Sequence, residues 1–283
     1  SLVRINEWMA DPDGGDDWLE LFNPGVLPVD LSGFSLSDDP GRPALSPLRI
    51  RSFLGVGADA FVQLIADGSP SEGFDHLSFR LAGSGESVWL NAPSGMAVDS
   101  VSFGLQTEGV SEGRLPDGAS GAVRFPGNAT PGESNYLPLP GIVVNEVLSH
   151  TDPPFEDAIE LANTSDQDAP VGGWYLSNAQ TEPRKYRVPD GTSIPARGYG
   201  VFYEAQFNGG PGSQVPFTLN AAHGDQVWLS APDAAGNLTG YRAVVAFGAA
   251  ANGVSFGRHA TSLGVDFVPL ASPSRLLPGP SDG

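Results

Sequence analysis

The sequence predicts an all-β chain folded as two tandem copies of one sandwich domain. Three observations predict it: an ordered internal repeat, short apolar runs in period two, and a glycine and proline content that long helices do not tolerate. The 283 residues include 37 Gly and 26 Pro, a density suited to short strands joined by tight turns. Hydrophobic residues make up 40%, enough for real cores, and a chain of this length divides into about two domains of ordinary size.

The repeat is read directly from the residues. Ile5-Asn6-Glu7-Trp8-Met9 returns as Val144-Asn145-Glu146-Val147-Leu148, and Asp17-Trp18-Leu19-Glu20-Leu21-Phe22-Asn23 as Asp157-Ala158-Ile159-Glu160-Leu161-Ala162-Asn163. Gly33-Phe34-Ser35-Leu36-Ser37 then answers Gly173-Trp174-Tyr175-Leu176-Ser177, and Gly85-Glu86-Ser87-Val88-Trp89-Leu90 answers Gly224-Asp225-Gln226-Val227-Trp228-Leu229. Phe103-Gly104 pairs with Phe247-Gly248, and Gly109-Val110-Ser111-Glu112-Gly113-Arg114 with Gly253-Val254-Ser255-Phe256-Gly257-Arg258. Ordered blocks at a nearly fixed spacing of roughly 140 residues are the signature of a duplicated unit. Each copy closes on a hydroxyl residue and proline, Thr130-Pro131 and Ser272-Pro273.

These blocks set the expected organisation: copy one over residues 1–136, a Pro-rich linker at 137–141, copy two over 142–275 and a flexible tail at 276–283. The two prolines of Leu137-Pro138-Leu139-Pro140-Gly141 predict a short, semi-rigid connector. Within each copy, runs such as Phe61-Val62-Gln63-Leu64-Ile65, Val98 to Phe103, Gly200 to Tyr203 and Tyr241 to Phe247 alternate apolar and polar residues between Gly, Pro, Asn and Asp clusters, the pattern of half-buried strands. Seven to nine such strands per copy describe a two-sheet sandwich. No segment carries a helical period.

Taken together, Ile-Asn-Glu, Asp-x-x-Glu-Leu-x-Asn, Gly-aromatic-x-Leu-Ser, Gly-acid-x-Val-Trp-Leu and Ser-x-Gly-Arg resemble the lamin tail domain family, nearly every block being present twice. The resemblance implies an immunoglobulin-like β-sandwich in each copy. It also implies a module for interaction or positioning, of the kind that accompanies enzymes in secreted or surface proteins of bacteria. Copy two departs from copy one at Ala158 and Ala162, where copy one has Trp18 and Phe22, and at Pro170-Val171-Gly172, where it has Asp30-Leu31-Ser32. A differently packed first sheet is expected there.

Charge narrows the partners. Asp and Glu number 33 against 14 Lys and Arg, a net charge of −19, and Lys185 is the one lysine. Nucleic-acid binding relies on basic residues that displace counterions from phosphates, and anionic membrane surfaces repel the same charge, so neither nucleic acid nor membrane insertion is expected. The nuclear DNA contacts of lamins therefore do not carry over. The absence of Cys, the acidity and the preference for Arg over Lys fit an extracellular or cell-surface bacterial protein that does without disulfides. A start at Ser1 fits a processed piece of a longer chain, and a monomer is expected. The partner is expected to be a protein or a carbohydrate of unspecified identity.

No catalytic, cofactor-binding or metal residue is assigned from the sequence, and several decoys explain why. Gly-x-Ser-x-Gly around Ser111 and Ser255 imitates a hydrolase nucleophile elbow but lacks the strand-to-helix context, and the one His after Ser255 is the nearby His259. Gly55-Val56-Gly57-Ala58-Asp59-Ala60 echoes a dinucleotide fingerprint without a βαβ unit. His76, His150, His223 and His259 lie far apart in sequence and there is no Cys, so zinc is not expected. The loop Asp11-Pro12-Asp13-Gly14-Gly15-Asp16-Asp17 is rich in oxygen donors that suit calcium, although its spacing is not that of a 12-residue calcium loop. Sequons at Asn163 and Asn237, and a poorer one at Asn128, are short matches that carry no weight for glycosylation. The alternative class is a hydrolase or carbohydrate-binding accessory using Trp89, Trp174 or Trp228 as sugar platforms, a use that needs them exposed. Finally, Glu7 with Glu146, Glu20 with Glu160, and Arg114 with Arg258 recur in both copies, and a Glu20–Arg114 ion pair at a sandwich edge is expected.

Overall fold

The computed structural model describes residues 3–48, 53–262 and 264–270. The expected tail and Ser272-Pro273 lie outside them. The chain divides into two compact units, Ser1–Leu137 and Pro138–Gly283.

In the first unit, β1 (Arg4–Met9), β2 (Trp18–Phe22), β3 (Val29–Asp30), β4 (Ser35–Ser37), β5 (Ser46–Pro47), β6 (Phe53–Leu54), β7 (Phe61–Ile65), β8 (Glu86–Asn91), β9 (Ala97–Phe103), β10 (Val110–Arg114) and β11 (Ala122–Pro126) follow one another, with a 3-10 turn at Gly57–Ala60 before β7. They form one sheet in the order β11-β10-β1-β2-β7, a second in the order β5-β4-β8-β9, and a small β3-β6 ribbon. All pairings between these strands are antiparallel. Ile5, Leu19, Leu21 and Leu64 from the first sheet meet Leu36, Val88, Leu90 and Val101 from the second in one core.

The second unit repeats the plan. After β12 (Leu137–Pro138), which straddles the division, it contains β13 (Ile142–Leu148), β14 (Ala158–Asn163), β15 (Ala169–Pro170), β16 (Tyr175–Ser177), β17 (Tyr186–Arg187), β18 (Ser193–Ile194), β19 (Tyr199–Tyr203), β20 (Asp225–Pro232), β21 (Leu238–Phe247), β22 (Ser255–Thr261) and β23 (Gly264–Pro269). Its sheets run β19-β14-β13-β22-β23 and β12-β21-β20-β16-β17, beside a β15-β18 ribbon. Strand for strand this is the order of the first unit, so each unit is an immunoglobulin-like sandwich. The one added strand is β12, drawn from the expected linker. Its following residue Leu139 donates its N–H to the Arg242 carbonyl at 2.9 Å and is buried in the second core. Proline is compatible with such an edge strand because an edge leaves one row of N–H groups outside the ladder.

The shared blocks are explained by what their side chains must do. Gly85 and Gly224 have φ of 101° and 82°. A Cβ would lie 2.6 Å from the Phe103 carbonyl oxygen in one and 2.2 Å from that of Phe247 in the other, so only glycine fits where β8 and β20 begin. Leu36 and Leu176 are fully buried. The Ser37 and Ser177 hydroxyls close the following turns by donating to the Arg42 carbonyl at 2.9 Å and the Glu182 carbonyl at 2.7 Å.

The copy-specific changes alter outer packing without altering strand order. Phe22 stacks on Phe61 with ring centroids 4.7 Å apart, whereas Ala162 sits opposite Tyr199, which is 41% exposed. Ala158 instead packs in a small buried group with Leu148, Val201 and Tyr203. Leu31 and Val171 occupy matching core positions. Helix is confined to the Gly57–Ala60 turn and to α1, Glu204–Phe207, among the described residues, and no helix there is long and apolar enough to cross a membrane.

Candidate functional site

The recurring polar residues converge on one place in each unit. Both β1 and β13 carry a bulge one residue before their glutamate, and past it Glu7 stands opposite Glu20 and Glu146 opposite Glu160. All four are sealed from solvent. Asn6 donates its side-chain N–H to Glu20 Oε1 at 3.0 Å, and Asn145 does the same to Glu160 at 2.7 Å. Ser111 donates its hydroxyl to Glu7 at 2.5 Å and Ser255 to Glu146 at 2.6 Å. The Gly-x-Ser-x-Gly serines are therefore fully buried strand residues engaged with a carboxyl group, an environment opposite to an exposed nucleophile elbow. Gly113 is required because a Cβ would lie 2.6 Å from the Asn6 carbonyl.

In the first unit the segment after β11 closes over this cluster. The Gly132 N–H donates to Glu20 Oε2 at 2.6 Å, and the Thr130 N–H lies 3.2 Å from Glu7 Oε2. Asn135 holds its amide in place by donating to the Arg114 carbonyl at 2.9 Å, which aims its side-chain oxygen at the Thr130 hydroxyl, 2.9 Å away. Thr130 Oγ1 is also 3.0 Å from Glu7 Oε2. One hydroxyl hydrogen serves one acceptor at a time, so Thr130 divides its donation between Asn135 and Glu7. Burial pushes Glu7 up to about 7, against the lowering effect of the Ser111 and Thr130 hydrogen bonds. Burial also pushes Glu20 up to about 9, reinforced by the neighbouring Glu7 charge.

The expected Glu20–Arg114 ion pair does not form. Glu20 lies on an inner strand, between β1 and β7, under the covering segment rather than at an edge. Arg114 reaches instead to the second sheet, where its Nη2 sits 3.1 Å from both Asp99 carboxylate oxygens. Asp99 Oδ2 accepts the Ile5 N–H at 2.8 Å and Arg114 Nε donates to the Ile5 carbonyl at 2.8 Å, so the pair satisfies the Ile5 backbone groups beyond the β1–β10 pairing at Glu7 and Trp8. Copy two has Ala243 at the Asp99 position, by the shared register against Leu90 and Leu229, and Arg258 is exposed. The recurrence of this arginine therefore does not reflect a recurring ion pair.

The Asp-x-x-Glu-Leu-x-Asn block is likewise structural at each position. Asp17 turns inward, its Oδ2 accepting the Leu81 N–H at 3.1 Å, and burial raises its pKa. Asp157 accepts from the Thr151 hydroxyl at 3.0 Å and burial pushes it up to about 6. Asn23 donates to the Leu27, Leu54 and Gly55 carbonyls, and Asn163 to those of Gln167, Ile194 and Pro195. The sequon asparagine Asn163 is thus buried with its amide engaged, while Asn237 is exposed in a hairpin turn. The dinucleotide-like glycines form the turn before β7, with the Gly55 N–H donating to the Asp59 carbonyl.

Of the tryptophans offered as sugar platforms, Trp228 is buried, its Nε1 donating to Gln226 at 2.9 Å. Trp174 packs against the second core and Trp89 is half-buried. Asp11, Asp13 and Asp16 are exposed on their loop. His150, His223 and His259 are exposed and separate. His76 is different: its Nδ1 lies 2.7 Å from Asp67 Oδ2, and donor atoms of Asp67, Glu72 and His76 all lie within 4.8 Å of one another, the one such group among the described residues. Sequence reading does not single these out. The signal available was that the β7–β8 loop carries His and acids in copy one, whereas β19 in copy two runs directly into α1.

No curated protein and no solved structure matches the chain. A family model described as the lamin tail domain matches residues 1–104 and, separately, residues 138–247. These stretches contain the Asn-Glu bulge, the Glu-Leu-x-Asn strand and the Gly-aromatic-x-Leu-Ser turn of each unit, and the chain belongs to the lamin tail domain family.

Proposed function

We propose that this chain is a non-catalytic interaction or spacer module of a larger secreted or surface protein, acting through its surface on a protein or carbohydrate partner. The observation that carries the reading is where the shared residues are spent. Glu7, Glu20, Ser111 and their counterparts Glu146, Glu160 and Ser255 are buried in hydrogen-bonded clusters, so the residues that recur tie neighbouring strands of one sheet together and are closed off from solvent. The acidity of the chain favours partners with basic or neutral surfaces. The packed positions of Trp174 and Trp228 weigh against flat aromatic platforms for sugars.

Incubating the full chain with a panel of ester, phosphoester and glycoside substrates tests the reading. No turnover is expected. Hydrolysis abolished by Ser111→Ala, Ser255→Ala or Glu7→Gln in a protein that stays folded overturns it.

A further inference from the structure

We propose that Asp67, Glu72 and His76 form a binding site for one divalent transition-metal ion of the zinc class. All three donors come from one ten-residue stretch of the loop joining β7 to β8, in the order Asp-x4-Glu-x3-His. The backbone pins that stretch beside the end of β7: the Ile65 N–H donates to the Asp75 carbonyl at 2.9 Å and the Leu77 N–H to the Ile65 carbonyl at 2.7 Å. Leu77 and Phe79 then anchor it in the core. His76 is therefore held at a fixed place against the sheet.

Asp67 is fixed from the other side. Its Oδ1 accepts the Ser69 N–H at 2.8 Å, which leaves Oδ2 directed at His76 Nδ1. A carboxylate oriented by a backbone donor is the outer support that metal ligands ordinarily have. Glu72 is placed by the same turn, its N–H donating to the Ser69 carbonyl at 2.9 Å, and it is exposed, so the site opens to solvent. An ion about 2.1 Å from each donor closes a spread of this size with small side-chain rotations. In binding, it takes the place of the proton that His76 and Asp67 share.

One imidazole with two carboxylates selects the ion class. Calcium prefers six to eight oxygen ligands, whereas imidazole suits zinc, cobalt, nickel and iron. Three protein donors leave coordination positions for water. The site is a property of the first copy alone: after β19 the chain enters α1, and Ala205 stands where Asp67 stands after β7. The sandwich is built without it in the second unit, which separates this cluster from the fold.

The test uses the full chain stripped with EDTA, titrated calorimetrically with Zn(II) and followed with Co(II) by visible absorption. One equivalent is expected to bind, with a Co(II) ligand-field band. His76→Gln and Glu72→Gln are each expected to weaken binding by at least about tenfold, as the loss of even outer-shell partners does. Glu72 is exposed, so that variant keeps its fold and reports on binding alone. No uptake of Zn(II) or Co(II) at millimolar concentration overturns the proposal. So does uptake by both variants at the affinity of the parent chain, which would place the ion on the acidic surface at large.

Discussion

Glu7 and Glu20 stand directly opposite each other on neighbouring strands of the first sheet, and neither carboxyl touches water. Two buried carboxylates side by side cannot both ionise without a large desolvation and repulsion cost, and a raised pKa is the physical result. Glu146 and Glu160 stand in the same register on β13 and β14. In the first unit, hydroxyl, amide and backbone donors satisfy Glu7 and Glu20, so that cluster joins the first strands to later parts of the chain without bringing a buried charge pair with it.

The titration has a definite sign. A carboxyl raised in the folded state binds its proton more tightly there than in the unfolded chain, so its contribution is complete below the unfolded value near 4.5 and is lost as pH rises through the folded value. With Glu7 near 7 and Glu20 near 9, the first unit is expected to lose stability between pH 5 and pH 9. The loss is at most on the order of 10 kcal/mol, the two shifts amounting to about seven pKa units at about 1.4 kcal/mol each. Urea denaturation across that range measures it, and Glu20→Gln should flatten the slope. A first unit more stable at pH 9 than at pH 5 contradicts the assignment.

Arg114 and Arg258 should behave differently although they share a motif. Arg114 and Asp99 are largely buried together, and removing one partner leaves the other uncompensated, a cost on the order of 3 kcal/mol. Arg114→Met and Asp99→Ala should each destabilise the first unit strongly and show coupling in a double-mutant cycle. Arg258→Met is at an exposed position and should stay within about 0.5 kcal/mol of the parent. Equal effects of the two arginine substitutions would mean that Arg258 has a buried role of its own.

Ser111→Ala and Ser255→Ala each remove the hydroxyl donor from a buried carboxyl. The expected cost is about 1 to 3 kcal/mol apiece, the penalty of an unsatisfied buried polar group. Differential scanning calorimetry resolves it as a lowered Tm. An unchanged Tm in both variants would show that the hydroxyls are not structural.

Much of the fold was legible because duplication marks the residues that cannot change. Leu21, Leu36, Leu90 and their partners follow period two, and Gly85 with Gly224 announces a tight approach that only glycine tolerates. The covering segment of the first unit was not legible. Thr130, Gly132 and Asn135 have no periodicity, and they meet Glu7, Glu20 and Asn6 across more than a hundred residues of chain. The partner of Arg114 was missed for a related reason: Asp99 lies on the opposite sheet and is absent from copy two, so comparison of the copies cannot reveal it. Leu137-Pro138 read as a connector because proline usually breaks a strand, yet an edge position accommodates it. Asp67, Glu72 and His76 lie within ten residues of chain, but copy two has no counterpart to mark them, and their donors meet only when the loop folds back along β7.

The edge strand gives the last substitution-free comparison. A second unit beginning at residue 137 keeps β12 and Leu139, whereas one beginning at residue 141 loses both. Leu139 is buried in the core, and losing a buried leucine costs on the order of 2 to 3 kcal/mol. The longer piece should therefore melt higher, and equal melting temperatures would show that β12 contributes nothing.

The most direct test of two self-contained sandwiches is to produce residues 1–136 and 137–283 separately and follow the near-ultraviolet circular dichroism of each on heating. Each unit has its own core drawn from its own two sheets, so each piece should show a native aromatic signal that is lost in one cooperative transition. Failure of both pieces to show any cooperative transition, while the full chain does, would mean that the two copies share a single core and would contradict the division into two lamin tail domains.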